Sequence, residues 1–150
     1  MSAWKALRNV GFVTSSDGNL GLLLLRLFIG FGIFTHGLPK LQGGPELWEK
    51  MGGVMTGLGV PGPAVFWGFM AAFAEGVGGI LLALGAFTTL ASFLVAFTMA
   101  IAFLVVHQAD PFAKKEMAAL YFFGATTFLF KGAGRFSIDS LLRPRIAGKN

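Results

Sequence analysis

Residues 20–40 read LGLLLLRLFIGFGIFTHGLPK, an apolar run long enough to cross a bilayer that nevertheless carries Arg26 within it and His36 and Lys40 near its end. A helix needs roughly 20 mainly apolar residues to span the hydrocarbon core. An arginine at the middle of such a helix costs on the order of 2.5 to 3.5 kcal/mol on insertion scales. Intramembrane charges therefore face the interior of a bundle and find a partner there. One span alone offers no such interior, so the chain must fold as several helices packed together.

The remaining sequence agrees. The chain has 150 residues, 55% hydrophobic and only 13% charged, where a soluble domain devotes about a quarter of its residues to charge. That composition excludes a soluble hydrolase. The formal charge of +5 and pI near 10.0 come from basic residues near the chain ends and loops, with no stripe of interleaved aromatics, which points to a membrane surface and away from nucleic acid. Cysteine is absent, so disulfides, thiolate metal sites and thiol redox chemistry of the chain itself are excluded. The basic N-terminus precedes an apolar run that holds Arg26 and is followed by no small-residue cleavage pattern, so it reads as an uncleaved first span.

Four spans are expected, at residues 20–39, 63–85, 87–107 and 113–132, in one domain over 1–150 with a cytoplasmic tail at 133–150. The fourth is the least apolar, because Lys114, Lys115 and Glu116 stand at its start. The short link between the second and third spans makes them a tight antiparallel hairpin. Between the first and second, Pro45 suits a helix start, and Trp48, Met51, Met55 and Leu58 share one helical face. That segment is either an amphipathic helix at the membrane interface or a loop helix packed over the bundle. Lys5, Arg8, Lys131, Arg135, Arg143, Arg145 and Lys149 share one side, against Lys40, Lys50, Lys114 and Lys115 diluted by acids on the other. By the positive-inside rule both termini are cytoplasmic. Near the C-terminus, Ser137 is a candidate N-cap with Asp139 in the first turn of a short helix on the inner surface. The fold class is thus all-α, a four-helix integral membrane bundle with short interfacial helices in the first outer loop and at the C-terminus.

Arg26 and Glu75 are the two ionisable residues deepest in the spans. Counted from the inner side they differ by roughly 6 Å in depth at 1.5 Å rise per residue, a gap an arginine stem can bridge. Gly68, Ala71, Ala72, Glu75, Gly78, Gly79 and Leu82 share one face of the second span, and Arg26, Gly30, Ile33, Gly37 and Lys40 one face of the first. Small residues let the two backbones approach. An Arg26–Glu75 ion pair is therefore expected, either as bundle glue or as the polar anchor of a ligand cavity.

At the outer end His36, Lys40, His107, Gln108 and Glu116 fall at similar depth and form a second candidate cluster, whose ordinary reading is interfacial side chains satisfying helix ends and headgroups. Two histidines alone are a weak motif for a b-type haem, and a His, His, Glu trio for zinc has no diagnostic spacing, so no metal is assigned. Phe28, Phe31, Phe34, Phe66, Phe69, Phe73, Phe103, Phe122 and Phe123 either face lipid or build a flat apolar cavity suited to a quinone or lipid.

THGLPK in the first span, AEGVGGILLALGAFT in the second, His107 ahead of PFAKKE, and GAGRFSID near the end together resemble the DoxX family of small bacterial membrane proteins over about residues 20–142. Its pattern falls on Arg26, His36, Gly37, Lys40, Glu75, Gly78, Gly79, Gly85, Thr88, His107, Glu116, Gly134, Ser137 and Asp139. The resemblance implies a four-helix bundle in the bacterial inner membrane. It also implies a link to thiosulfate:quinone oxidoreductase or quinol oxidase complexes, with other members tied to oxidative-stress or thiol complexes. The expected function is a redox-linked membrane component binding a lipophilic small molecule such as a quinone, as an accessory subunit of a quinone-linked oxidoreductase. The alternative is a structural or assembly subunit of a larger membrane complex, or a homo-oligomer, without its own activity.

Overall fold

The structure is a computed structural model and describes residues 18–142. It contains six α-helices and no strand among those residues: α1 (Gly18–Gln42), α2 (Gly44–Gly57), α3 (Ala64–Leu84), α4 (Thr88–Ile101), α5 (Phe112–Lys131) and α6 (Ile138–Leu142), with one π-helical turn, Ala102–Val106, continuing α4. Trp4, Lys5, Arg8, Arg143, Arg145 and Lys149 lie outside the described residues. Helices α1, α3 and α4 with its π turn are long and apolar enough to cross a membrane. Helix α5 is as long but has Lys114, Lys115 and Glu116 in its first turns and Lys131 in its last.

The four long helices close a ring in which α1 packs on α3, α3 on α4, α4 on α5, and α5 back on α1. Two layers of side chains fill it. Ile29, Leu82, Ala91 and Phe128 form one; Ile33, Val95, Ala96, Met99 and Ala125 form the other. Outside the ring Phe28, Phe123, Phe130 and Leu104 are exposed, as expected where the solvent is hydrocarbon. Without a hydrophobic drive between helices in lipid, close backbone packing must hold them together, and the glycines supply it. A Cβ on Gly30 would press the backbone of Gly79 and Ala83, one on Gly37 the backbone of Glu75 and Gly76, and one on Gly79 the backbone of Gly30 and Phe34.

Helix α1 runs past the expected stop at Pro39 to Gln42. Proline removes one backbone donor from a helix. Contacts made by the turn beyond it hold that turn helical: Lys40 pairs with Glu75, and the Trp48 indole donates to the Lys40 carbonyl at 2.8 Å. Helix α2, with Pro45 in its first turn, packs on α3. Its Gly52 sits against Ala64 and Gly68, and its Trp48 ring stands edge-on to Phe69 at 5.0 Å. Gly85 ends α3 in a left-handed conformation (φ 67°), with Ala86 N–H donating to Leu81 and Gly85 N–H to Leu82, so a three-residue link turns the chain into α4.

Candidate functional site

The glycine seam between α1 and α3 fixes their register, and the register decides which charges meet. With Gly30 against Gly79 and Ala83, and Gly37 against Gly76, the antiparallel helices bring Lys40 beside Glu75 and Arg26 beside Ala83. Lys40 Nζ donates to Glu75 Oε1 at 2.6 Å and to Oε2 at 2.5 Å. The expected Arg26–Glu75 pair does not form. Arg26 and Lys40 are fourteen residues apart on one helix, roughly 21 Å at 1.5 Å per residue, and Glu75 lies at the Lys40 end.

Arg26, 1% exposed, is satisfied by backbone instead. Its Nε donates to the Ala83 carbonyl at 3.2 Å and one terminal nitrogen to Phe136 at 2.5 Å; the other donates to Ala133. Ala83 lies in the last turn of α3, where helical carbonyls have no intrahelical donor. Ala133 and Phe136 belong to the segment after α5. One guanidinium thus ties α1 to the end of α3 and to the chain leaving α5. The neighbouring GAGRFSID residues complete the knot. Asp139 accepts from the backbone N–H groups of Phe87 and Thr88 at 2.8 and 2.9 Å, and its own N–H donates to Gly85. Ser137 caps α6 as expected, accepting from Ser140 N–H at 3.2 Å. The Asp139 carboxylate, however, serves the N-terminus of α4. It holds Phe87 there in a left-handed conformation (φ 47°), unusual for a residue with a side chain.

The opposite end of α1 is open. A cleft of about 630 Å³ runs between α2, α3 and α4 and reaches the π turn. Leu47, Met51, Val54 and Met55 of α2, Phe66, Trp67, Met70, Ala71 and Ala74 of α3, and Phe93, Leu94, Phe97 and Ile101 of α4 make its walls apolar. Lys40, Lys50, Glu75, Thr98 and His107 supply its polar groups. Phe66, Phe93 and Phe97 are also exposed on the outer surface of the bundle, so the cleft opens sideways between α3 and α4. Glu75 is 2% exposed while the Lys40 side chain is 35% exposed. The carboxylate is therefore the buried member of the pair and the ammonium the hydrated one.

The polar residues expected at the outer end do not gather into one cluster. Lys40 belongs to Glu75. His107 Nδ1 lies 2.8 Å from Asp110 Oδ2, with Lys114 Nζ 3.7 Å from the other oxygen. The His107 hydrogen bond, helped by the Lys114 charge, holds the Asp110 carboxyl below the usual carboxylate range. A carboxylate only accepts, so Nδ1 is the protonated nitrogen. His36 instead stands edge-on to Tyr121 of α5, ring centroids 5.8 Å apart, and Tyr121 fills the space left by Gly32. Glu116 is exposed on α5. Only Lys40 and His107 of the expected outer cluster reach the cleft, and they share it with Glu75. Among the described residues no three His, Asp or Glu side chains gather to hold a metal.

Of the nine phenylalanines read as either lipid-facing or cavity-lining, Phe66 lines the cleft, while Phe28, Phe31 and Phe123 are exposed on the outside of the bundle. The lining that sequence reasoning missed is Phe93, Phe97 and Met70. Their only local signal is spacing: Phe93 and Phe97 are one turn apart on a helix opposite the methionine face of α2.

No solved structure matches this chain. The chain is 34% identical over 93 residues to a protein described as a putative oxidoreductase CatD from Bacillus subtilis, a match covering 62% of this chain and 64% of that protein. The chain thus spans somewhat less than two thirds of that relative. An uncharacterised protein of Haemophilus influenzae is 33% identical over 126 residues, covering 79% and 88% of the two chains. The DoxX family model matches residues 21–108, more than half of the chain, and takes in Arg26, Gly37, Lys40, Glu75, Gly85 and His107. A membrane-helix bundle whose α1–α3 glycine seam, buried Arg26 and Lys40–Glu75 pair all lie within that match belongs to the DoxX family.

Proposed function

We propose that this protein is a four-pass inner-membrane component of a quinone-linked redox system, and that it binds a lipophilic small molecule in the cleft between α2, α3 and α4. The observation that carries this is the union of an apolar cleft of about 630 Å³, open sideways between α3 and α4, with a buried carboxylate in its lining. Ligand pockets are commonly apolar, of this size, and provided with a few placed polar groups. The glycine contact between Gly52 and Gly68 keeps α2 seated as a fixed wall, so the cleft is preformed.

In this reading Lys40 and Glu75 take the ligand-anchoring role, and Arg26 holds the fold. The oxidoreductase description of the Bacillus relative supports the redox link. The excess of basic residues on the side of both termini supports cytoplasmic termini, with α5 as the fourth pass. The role fits an accessory subunit: the chain supplies a site for a lipid-soluble carrier, and electron transfer belongs to its partners.

Solvent extraction of the purified protein followed by mass spectrometry tests the binding. A lipophilic molecule with an oxygen-bearing head is expected at near one per chain, and it should be depleted in Ala71→Phe, which narrows the cleft. An extract containing only bulk phospholipid, the same for both proteins, would count against the proposal.

A further inference from the structure

We infer that the cleft selects a head group that donates a hydrogen bond, the hydroxyl of a phenol or hydroquinone, over the carbonyl or ether form of the same molecule. This rests on the ligand-binding reading above. It follows from counting donors and acceptors where the cleft meets the ion pair. A carboxylate has about four acceptor positions and no donor. Lys40 uses two of those on Glu75, one on each oxygen. Two remain on a side chain that is 2% exposed and lines the cleft, so bulk water does not satisfy them.

Most donors nearby are already engaged or hydrated, and the Thr98 hydroxyl, which also lines the cleft, brings one donor but two acceptor positions and so does not close the deficit. Two of the three Lys40 protons go to Glu75, and its side chain is 35% exposed, which leaves the third to solvent. The Trp48 indole donates to the Lys40 carbonyl. His107 Nδ1 is turned to Asp110. Lys50, the remaining charged group lining the cleft, is exposed on α2. The buried end therefore has surplus acceptor capacity. A hydroxyl completes it, whereas a carbonyl or methoxy oxygen sets lone pairs against lone pairs and leaves the carboxylate short of a donor.

The chemical consequence is that the protein holds the reduced member of a lipophilic redox couple. A reaction that reduces a quinone-like ring must supply this ligand, and one that oxidises it must consume it. Sites built to bond a hydroxyl discriminate strongly against analogues lacking it, because the buried partner is then left unpaired.

Anaerobic calorimetric titration of the detergent-purified protein with tetramethylhydroquinone, tetramethylquinone and the dimethyl ether of the hydroquinone tests this. The hydroquinone should bind at least about tenfold more tightly than either analogue, the range expected for a hydrogen bond to a charged acceptor. In Glu75→Gln, whose amide both donates and accepts, that preference should shrink to within about threefold. Equal binding of all three by the wild-type protein, or tighter binding of the quinone, overturns the inference while leaving the cleft as a ligand site. If none binds, the ligand-binding reading falls and this inference with it. The wild-type comparison needs no variant, so a poorly folding Glu75→Gln does not blunt the test.

Discussion

Helix α1 carries a cation near each end, and the two are used in opposite ways. In its N-terminal half Arg26 is sealed and its donors go to backbone carbonyls of α3 and of the segment following α5. At its C-terminal end Lys40 is about one-third exposed and pairs with a carboxylate that still has acceptor positions and lines a cleft. A buried charge whose partners are all backbone has nothing left to offer a ligand; it fixes architecture. A charge pair with unused capacity beside an apolar cavity is where chemistry can occur. Burial alone does not separate the two cases, since Arg26 and Glu75 are buried almost equally.

Substitutions should separate them, and the largest loss of stability belongs to the sealed end. Arg26→Met leaves the Ala83, Ala133 and Phe136 carbonyls without their donor and unties three segments, which should cost on the order of 3 to 5 kcal/mol. A large fall in the detergent melting temperature would show it, and ligand affinity per folded molecule should be unchanged. A change in affinity without loss of stability would reverse the roles given to the two ends.

Next comes an asymmetry within the Lys40–Glu75 pair. Lys40→Met strands a buried carboxylate and should cost roughly 2 to 4 kcal/mol, since breaking a buried pair from one side leaves an uncompensated charge. Glu75→Gln strands only a hydrated ammonium, so its cost should be about 1 kcal/mol or less, as for exposed pairs. Parallel melting curves of the two variants check the order; equal losses would mean that Glu75 is better solvated than its burial implies. Between these, Gly37→Ala places a methyl against the backbone of Gly76 and should cost about 1 to 3 kcal/mol by overpacking. Because it pushes α1 from α3 near Lys40, it should also weaken ligand binding, which Arg26→Met should not.

Much of this was readable in the residues, and the failures have physical causes. The hydropathy of the spans, the small-residue faces of α1 and α3, Pro45 at the start of α2 and the Ser137 cap all follow from local rules. The partner of Arg26 did not, because pairing by depth assumes that each helix begins at the membrane boundary. The actual register is set by Gly30 on Gly79 and Gly37 on Gly76, contacts worth more than a span boundary placed to within a turn. Backbone carbonyls are also invisible to a search for side-chain partners, although every helix C-terminus exposes several. Asp139 was legible as an anion at a helix N-terminus, but the helix it serves, α4, is distant in sequence. The π turn at Ala102–Val106, which places His107 at the cleft, had no recognisable sequence signal.

The smallest expected effect lies at the rim, where Asp110 gives the comparison an exposed counterpart. Its pKa is lowered in the folded protein, chiefly by the His107 hydrogen bond. A carboxylate with a depressed pKa contributes stability above its unfolded value, near 3.9, and that contribution is lost as pH falls through the folded value. Asp110→Asn should therefore melt slightly below wild type at pH 6 to 7, and the gap should close on acidification below about pH 4. Melting curves across that range check the sign. Since the pair sits in water, the gap should also shrink in high salt, because exposed pairs are screened. The Lys40–Glu75 contribution, with its carboxylate out of solvent, should persist under the same salt. A rim pair as salt-resistant as the buried one would mean that His107 is drawn into the cleft, making Asp110 part of the ligand site.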